Sequence, residues 1–332
     1  MSAHDRAFAI DMRDYQIKSH AQIEEAFERW RTVLLVLPTG AGKTTVLTYY
    51  IWRRLLLGKR VIVLVHRQEL VKQISARLSL AKIIHGIIMS GHDENPSAAV
   101  QVCSIQTLIQ MSSIPPCDDV VIDEAHHSNA DSYMDIIRVC GPKVRILGVT
   151  ATAERGDGGK MGDVFLAMVV PTTMRKLIDA GYLIPAQVLA PPARQSELWQ
   201  NPIGSYIELC PRKRAIIFAP TVTKAKTWEA IYRGAGISAR TIHSAYKSHD
   251  KGGNVVAIPG TSPEDREAWL GQFGLGIVKV ILNVSIVTEG FDCPGADVIG
   301  LGRGIGHTGL YDQIVGHGAR PESKIAKPGE KY

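Results

Sequence analysis

The chain has 332 residues, more than one core usually takes and comfortable for two domains of about 150 residues each. Its 38 lysines and arginines against 32 aspartates and glutamates leave a formal charge of +6, compatible with a polyanionic partner but too small to require one. No apolar run approaches the ~20 residues of a membrane span. The start Met1-Ser2-Ala3-His4-Asp5 lacks the basic-then-apolar pattern of a secretory signal, and Cys103, Cys117, Cys140, Cys210 and Cys293 include no Cys-x-x-Cys pair. A soluble chain with reduced thiols, in the cytoplasm, is the expectation.

In chain order, residues 33–37, 61–65, 100–105, 120–122 and 144–149 are Val/Ile/Leu-rich runs with little polar alternation. Strands of a parallel sheet read this way when helices cover both faces. Residues 68–80 predict a helix between them, with Leu70, Val71, Ile74 and Leu78 on one face. Ile184-Pro185, Pro191-Pro192 and Asn201-Pro202-Ile203-Gly204 have linker chemistry. The alternation then restarts, with strands at 215–219, 239–243, 278–284 and 297–301 and helices at 222–232, 266–273 and 310–315. Residues 248–261, with turns at Gly252-Gly253 and Pro259-Gly260, read as an exposed insertion. The expected division is a first domain over 1–190, a linker over 191–212 and a second domain over 213–332, both doubly wound α/β.

Two segments carry chemistry. The first predicted strand breaks into Pro38-Thr39-Gly40-Ala41-Gly42-Lys43-Thr44-Thr45. Gly40 and Gly42 let backbone N–H groups turn inward around phosphate oxygens, and the helix that follows presents its positive end there. Lys43 suits the β- and γ-phosphates, and the Thr44 hydroxyl suits Mg²⁺. This is the shorter variety of phosphate loop, because Leu37 stands where the longer pattern has its first glycine. The second segment is the strand Asp119-Val120-Val121-Ile122, which delivers Asp123-Glu124-Ala125-His126 at its tip. A carboxylate there can hold Mg²⁺, and its neighbour can deprotonate the water that attacks a γ-phosphate. Together they read as a nucleoside triphosphate hydrolase site that uses Mg²⁺, with Thr44 and Asp123 as metal ligands.

Further strings occur in a fixed order: Arg13-Asp14-Tyr15-Gln16, His66-Arg67-Gln68-Glu69-Leu70-Val71, Cys103-Ser104-Ile105-Gln106-Thr107-Leu108 and Gly148-Val149-Thr150-Ala151-Thr152-Ala153. Then come Ala215-Ile216-Ile217-Phe218-Ala219, Ile242-His243-Ser244, Thr288-Glu289-Gly290-Phe291-Asp292 and Gln313-Ile314-Val315-Gly316-His317-Gly318-Ala319-Arg320. With the phosphate loop and the acidic pair, nearly the whole chain resembles a superfamily-two helicase motor, closest to the DNA-repair and type I/III restriction branch with a DEAH-like box. The resemblance implies two tandem RecA-like domains with ATP in the cleft between them. It implies nucleotide contacts from Tyr15, Gln16, Gly290 and Asp292, with Gln16 reading the adenine edge. Catalysis falls to Lys43, Asp123, Glu124, Gln313 and Arg320, the last as an arginine finger. His126, Thr150 and Thr152 couple hydrolysis to movement. His66, Arg67, Gln106, Thr107, His243, Ser244 and Thr288 touch the nucleic-acid backbone, with little sequence preference expected from such contacts.

One departure stands out. His317 occupies the place of the family's first motif VI arginine, and an imidazole offers no guanidinium fork. The chain also ends soon after that motif, as a shortened or compact form would. Three readings follow: an ATP-dependent helicase or translocase, the motor part of a restriction or repair assembly, or a nucleotide-dependent clamp with impaired turnover. DNA is favoured over RNA because the resemblance is to repair and restriction motors; no membrane partner is expected, and partner subunits of a larger complex are.

Overall fold

The computed structural model describes residues 8–66, 68–90, 92–111, 113–127, 130–153, 161–187, 202–249, 255–284, 295–304, 314 and 316. The chain divides into two compact units, Met1–Asp179 and Ala180–Tyr332.

The first unit runs α1 (Asp14–Phe27), β1 (Thr32–Val36), α2 (Lys43–Leu56), β2 (Val61–Val65), α3 (Gln68–Leu80), β3 (Gly86–Met89) and β4 (His92–Glu94). It continues with β5 (Val100–Ser104), α4 (Ile105–Gln110), β6 (Asp119–Asp123), α5 (Ala130–Cys140), β7 (Arg145–Thr150), β8 (Ala167–Val169) and α6 (Met174–Asp179). The sheet order is β4-β3-β5-β2-β6-β7-β1-β8, parallel throughout except for β4, which pairs antiparallel with β3. Leu34, Ile62, Leu64, Cys103, Val120, Ile122 and Ile146 pack on one face with Leu108, Ile136 and Ile137. Their strand neighbours Val33, Leu35, Val63, Val121 and Leu147 are equally buried. Both faces are dry, which is why these strands show no polar alternation.

The predicted helix over 68–80 is α3, and Leu70, Val71, Ile74 and Leu78 are all buried as their spacing requires. The short strands β3, β4 and β8 carry no run long enough to announce them.

The second unit runs α7 (Pro202–Leu209), β9 (Ala215–Phe218), α8 (Val222–Gly234), β10 (Ala239–His243), β11 (Tyr246–His249), β12 (Val255–Ile258), α9 (Pro263–Gly274), β13 (Val280–Val284) and β14 (Val298–Leu301). Its main sheet is parallel, in the order β10-β13-β9-β14. Ala215, Ile217, Leu282 and Val284 face a cluster with Trp228 and Tyr232 of α8, while Ile216, Phe218 and Ile281 face Ile242 and Phe273.

Two segments differ from the sequence reading. Helix α7 lies inside the stretch 191–212 expected as linker. Pro202 takes its first position, where a missing N–H costs nothing, and Ile203, Tyr206 and Cys210 share one face against the second core. Part of the expected insertion over 248–261 is strand, because β11 and β12 form an antiparallel sheet of their own. It is tied back to β10, since Thr261 N donates to His243 O at 2.9 Å and His243 N to Thr261 Oγ1 at 3.0 Å. The predicted helix at 310–315 lies outside the described residues apart from Ile314, which is buried in the second core.

Candidate nucleotide and coupling site

In an open parallel sheet, ligands bind beyond the carboxyl ends of the strands. Here β1, β7 and β6 are adjacent in the first sheet, and the phosphate loop, Thr150-Ala151-Thr152 and Asp123-Glu124 lie at their carboxyl ends. The loop opens with a turn in which Ala41 N donates to Pro38 O at 3.0 Å, with Gly40 at φ 84°. Gly42 then caps α2 at φ 80°. Both are left-handed conformations that a side chain resists, and a Cβ on Gly42 would lie 2.5 Å from Gln16 Nε2. The first amides of α2 have no acceptor within their own helix and head the cradle.

The loop is braced from α1. The Tyr15 hydroxyl donates to Ala41 O at 2.6 Å, and Gln16 Nε2 donates to the same oxygen at 3.0 Å. Gln16 Oε1 accepts from Arg13 N at 2.9 Å, so both ends of this buried amide hold backbone. The resemblance gave Gln16 the adenine edge; its described contacts are to the loop itself. The Thr39 hydroxyl is buried with no hydrogen-bond partner among the described residues, a polar atom waiting at the cradle.

Asp123 and Glu124 are both buried. Glu124 adopts φ 48°, costly for a residue with a Cβ, and its N–H donates back to Asp123 Oδ1 at 3.0 Å. Lys43 Nζ stands 3.7 Å from Glu124 Oε1, and His126 Nδ1 stands 3.4 Å from Glu124 Oε2. Burial first, and the neighbouring Glu124 second, push the Asp123 carboxyl up to about 7 against the pull of Lys43. A divalent cation would reverse that shift; a dry carboxylate at the end of β6 and a threonine hydroxyl in the first turn of α2 are oxygen donors of the kind Mg²⁺ takes.

The residues expected to couple hydrolysis to movement, His126, Thr150 and Thr152, are joined by hydrogen bonds. The Thr150 hydroxyl donates to Thr152 O at 2.9 Å and accepts from Thr152 N at 3.2 Å. With its proton committed, Thr150 Oγ1 can only accept from His126 Nδ1, 2.9 Å away, which assigns the ring proton to Nδ1. His126, Thr150 and Thr152 are therefore hydrogen-bonded in series within the first unit, with Glu124 Oε2 close to His126 Nδ1 but not hydrogen-bonded to it.

Of the residues expected at nucleic acid, Gln106 and Thr107 of α4 are bonded to the segments that follow β2 and β3. Gln106 Nε2 donates to His66 O at 3.1 Å, and Ser90 N donates to Thr107 Oγ1 at 3.2 Å. His243 is buried, with Nδ1 3.0 Å from Ser244 O, and Ser244 is exposed. Arg67, Thr288, Gly290, Asp292, Gln313, His317 and Arg320 lie outside the described residues. Sequence reasoning missed Asp119, the base of β6, which binds Tyr50 and Arg54 of α2. Its only signal was an acidic residue at the start of an otherwise apolar strand.

The family model for the type III restriction enzyme res subunit matches residues 9–155, and that for the helicase conserved C-terminal domain matches residues 202–322. The chain belongs to the superfamily-two helicases, in the restriction and repair branch. Family relatives include the putative ATP-dependent helicase IRC3 of Saccharomyces cerevisiae, 26% identical over 93% of this chain and 49% of that protein. A 51.5 kDa protein of a Lactococcus phage is 25% identical over 79% of this chain and 56% of that protein. The chain thus spans about half the length of the curated relatives it matches. The fold matches that of the ATP-dependent Type ISP restriction-modification enzyme LlaBIII bound to DNA, with a TM-score of 0.66 at 14% identity over 95% of this chain and 27% of that one. Among the described residues no helix is long and apolar enough to cross a membrane.

Proposed function

We propose that this chain is an ATP-driven nucleic-acid motor, a helicase or translocase acting on DNA in preference to RNA. The observation that carries the reading is the clustering of Lys43, Glu124, His126 and Thr150, each close to the next, at the carboxyl ends of three adjacent strands. In this proposal the loop amides and Lys43 hold the β- and γ-phosphates, and Glu124 takes the proton of the attacking water. Thr44 and Asp123 hold Mg²⁺, which neutralises charge on the phosphates when bound.

The pairing of Lys43 with Glu124 at 3.7 Å gives the base a switch. Phosphates that draw the ammonium toward them take it off Glu124 and leave that carboxylate free to face the attacking water. His126, hydrogen-bonded to Thr150 and close to Glu124, reports that change to the loop after β7. Arg320 supplies positive charge to the transition state, and Gln313, Gly290 and Asp292 complete the nucleotide contacts. His66, Arg67, Gln106, Thr107, His243, Ser244 and Thr288 grip the backbone of the track. The DNA preference is supported by the restriction-enzyme family model and by a structural neighbour solved on DNA. A cytoplasmic location belongs to the same proposal.

The restriction matches also favour a second reading, in which the chain is the translocating part of a larger assembly. The test common to both is steady-state ATP hydrolysis with and without single-stranded DNA, duplex DNA and RNA, with Lys43→Ala as the blank. Stimulation by DNA and not RNA, lost in the variant, supports the reading. Nucleotide binding with no polymer-stimulated turnover refutes it.

A further inference from the structure

Helix α3 packs beside α2, and Arg77 in its last turn follows Leu70 and Ile74 at helical spacing, on the margin of the buried face. A cation in the last turn of a helix ordinarily serves that helix's own carbonyls. Arg77 instead crosses to α2, where its Nη2 donates to Thr45 Oγ1 at 2.8 Å. Among the described residues no carboxylate lies within ion-pair distance of Arg77.

Thr45 sits two residues beyond Lys43, in the first turn of α2. A threonine inside a helix commonly donates its proton to the carbonyl four residues back, as Thr48 does to Thr44 O at 2.7 Å. For Thr45 that acceptor is Ala41 O. Ala41 O is already taken by two donors, the Tyr15 hydroxyl at 2.6 Å and Gln16 Nε2 at 3.0 Å, which fill its two lone pairs. The Thr45 hydroxyl therefore has its back-bonding site closed by α1 and one of its own lone pairs held by Arg77. Its proton finds no acceptor among the described residues.

We propose that Arg77 is a positioning residue of the nucleotide site: together with the Tyr15–Gln16 clasp on Ala41 O, it leaves the Thr45 hydroxyl proton free to donate to a phosphate oxygen that ATP and ADP share. The inference rests on reading the loop as a nucleotide cradle, and it adds α3 to the elements that set nucleotide affinity. A donor aimed at a phosphate common to substrate and product strengthens binding of both, and does not favour the transition state over the ground state. Its loss therefore falls on ADP affinity and on KM for ATP, and not on kcat.

The experiment measures ADP affinity by calorimetry, and KM and kcat for ATP, on the full chain and on Arg77→Met, Thr45→Val, Thr45→Ser and the double variant Arg77→Met/Thr45→Val. The expected result is about tenfold weaker ADP binding in Arg77→Met and in Thr45→Val, with KM raised in step and kcat held within about twofold. Thr45→Ser, which keeps the hydroxyl, retains wild-type affinity. The double variant is no weaker than Thr45→Val alone, because Arg77 acts through that hydroxyl. Wild-type ADP affinity in Arg77→Met, a loss carried by kcat, or a double variant that multiplies the single losses would each overturn the assignment. Failure of the wild-type chain to bind ADP would instead bring down the nucleotide reading, and this proposal with it.

Discussion

The helix that starts at Lys43 and the strand that ends at Asp123 are bolted together at their far ends, and cutting that bolt has a calculable cost. Asp119 is fully buried at the base of β6; its carboxylate takes the Tyr50 hydroxyl at 2.6 Å and the Arg54 guanidinium at 2.8 and 2.9 Å. Arg54→Met keeps most of the stem and removes the charge. Breaking a buried pair from one side costs about 3–5 kcal/mol, because the remaining carboxylate is dry and uncompensated. Burial already raises the Asp119 carboxyl against the pull of Tyr50 and Arg54, so in the variant it takes a proton rather than stay charged. That relief puts the expected loss near the lower bound, about 3 kcal/mol.

With a urea slope of about 1–3 kcal/mol per molar, the unfolding midpoint of the first unit falls by about 1–3 M. The sign with pH follows from the same shift. A carboxyl raised in the fold binds its proton more tightly folded than unfolded, so the defect is greatest at neutral pH and shrinks as pH falls toward the ordinary carboxylate value. Arg54→Met combined with Asp119→Leu removes both charges and recovers most of the loss. An Arg54→Met midpoint within about 0.3 M of wild type refutes the reasoning.

Glu124→Gln should lower DNA-stimulated kcat by about 10²–10⁴ while ATP binding survives, since only the base is lost; a quench-flow burst and an ADP titration separate the two. Gly42→Ala meets both a left-handed φ of 80° and Gln16 Nε2 at 2.5 Å, so it should lower nucleotide affinity more than about tenfold in a filter-binding assay. Tyr15→Phe deletes the hydroxyl's 2.6 Å bond to Ala41 O and should raise KM for ATP by about five- to tenfold. The Cys103 thiol is fully buried and raised to about 12 by that burial, so iodoacetamide should leave it unmodified until urea opens the first unit, as read by peptide mass.

What the sequence made legible follows from how each element is buried. β1, β2, β5, β6 and β7 stand out because both faces are covered, and a parallel strand in that position has nothing polar to show. The phosphate loop is legible because Gly40 and Gly42 have backbone duties that few other residues can perform. Helix α7 was hidden by Pro202 and Gly204, which read as breakers one by one. Only the shared face of Ile203, Tyr206 and Cys210, set against a core built from distant strands, makes the segment a helix. The pairing of β11 with β12 was hidden in the same way, because Gly252-Gly253 and Pro259-Gly260 read as breakers in the sequence. Asp119 and Arg77 were out of reach for another reason: their partners Arg54 and Thr45 are 65 and 32 residues away, and no local pattern carries such a pairing.

The central claim is that hydrolysis at Lys43, Asp123 and Glu124 drives movement along DNA. The most direct measurement is displacement of a third strand from duplex DNA, and of streptavidin from a biotinylated single strand, with ATP or a non-hydrolysable analogue. The account predicts displacement with ATP alone, lost in Glu124→Gln although that variant still binds nucleotide. DNA-stimulated ATP turnover without displacement from either substrate would contradict it.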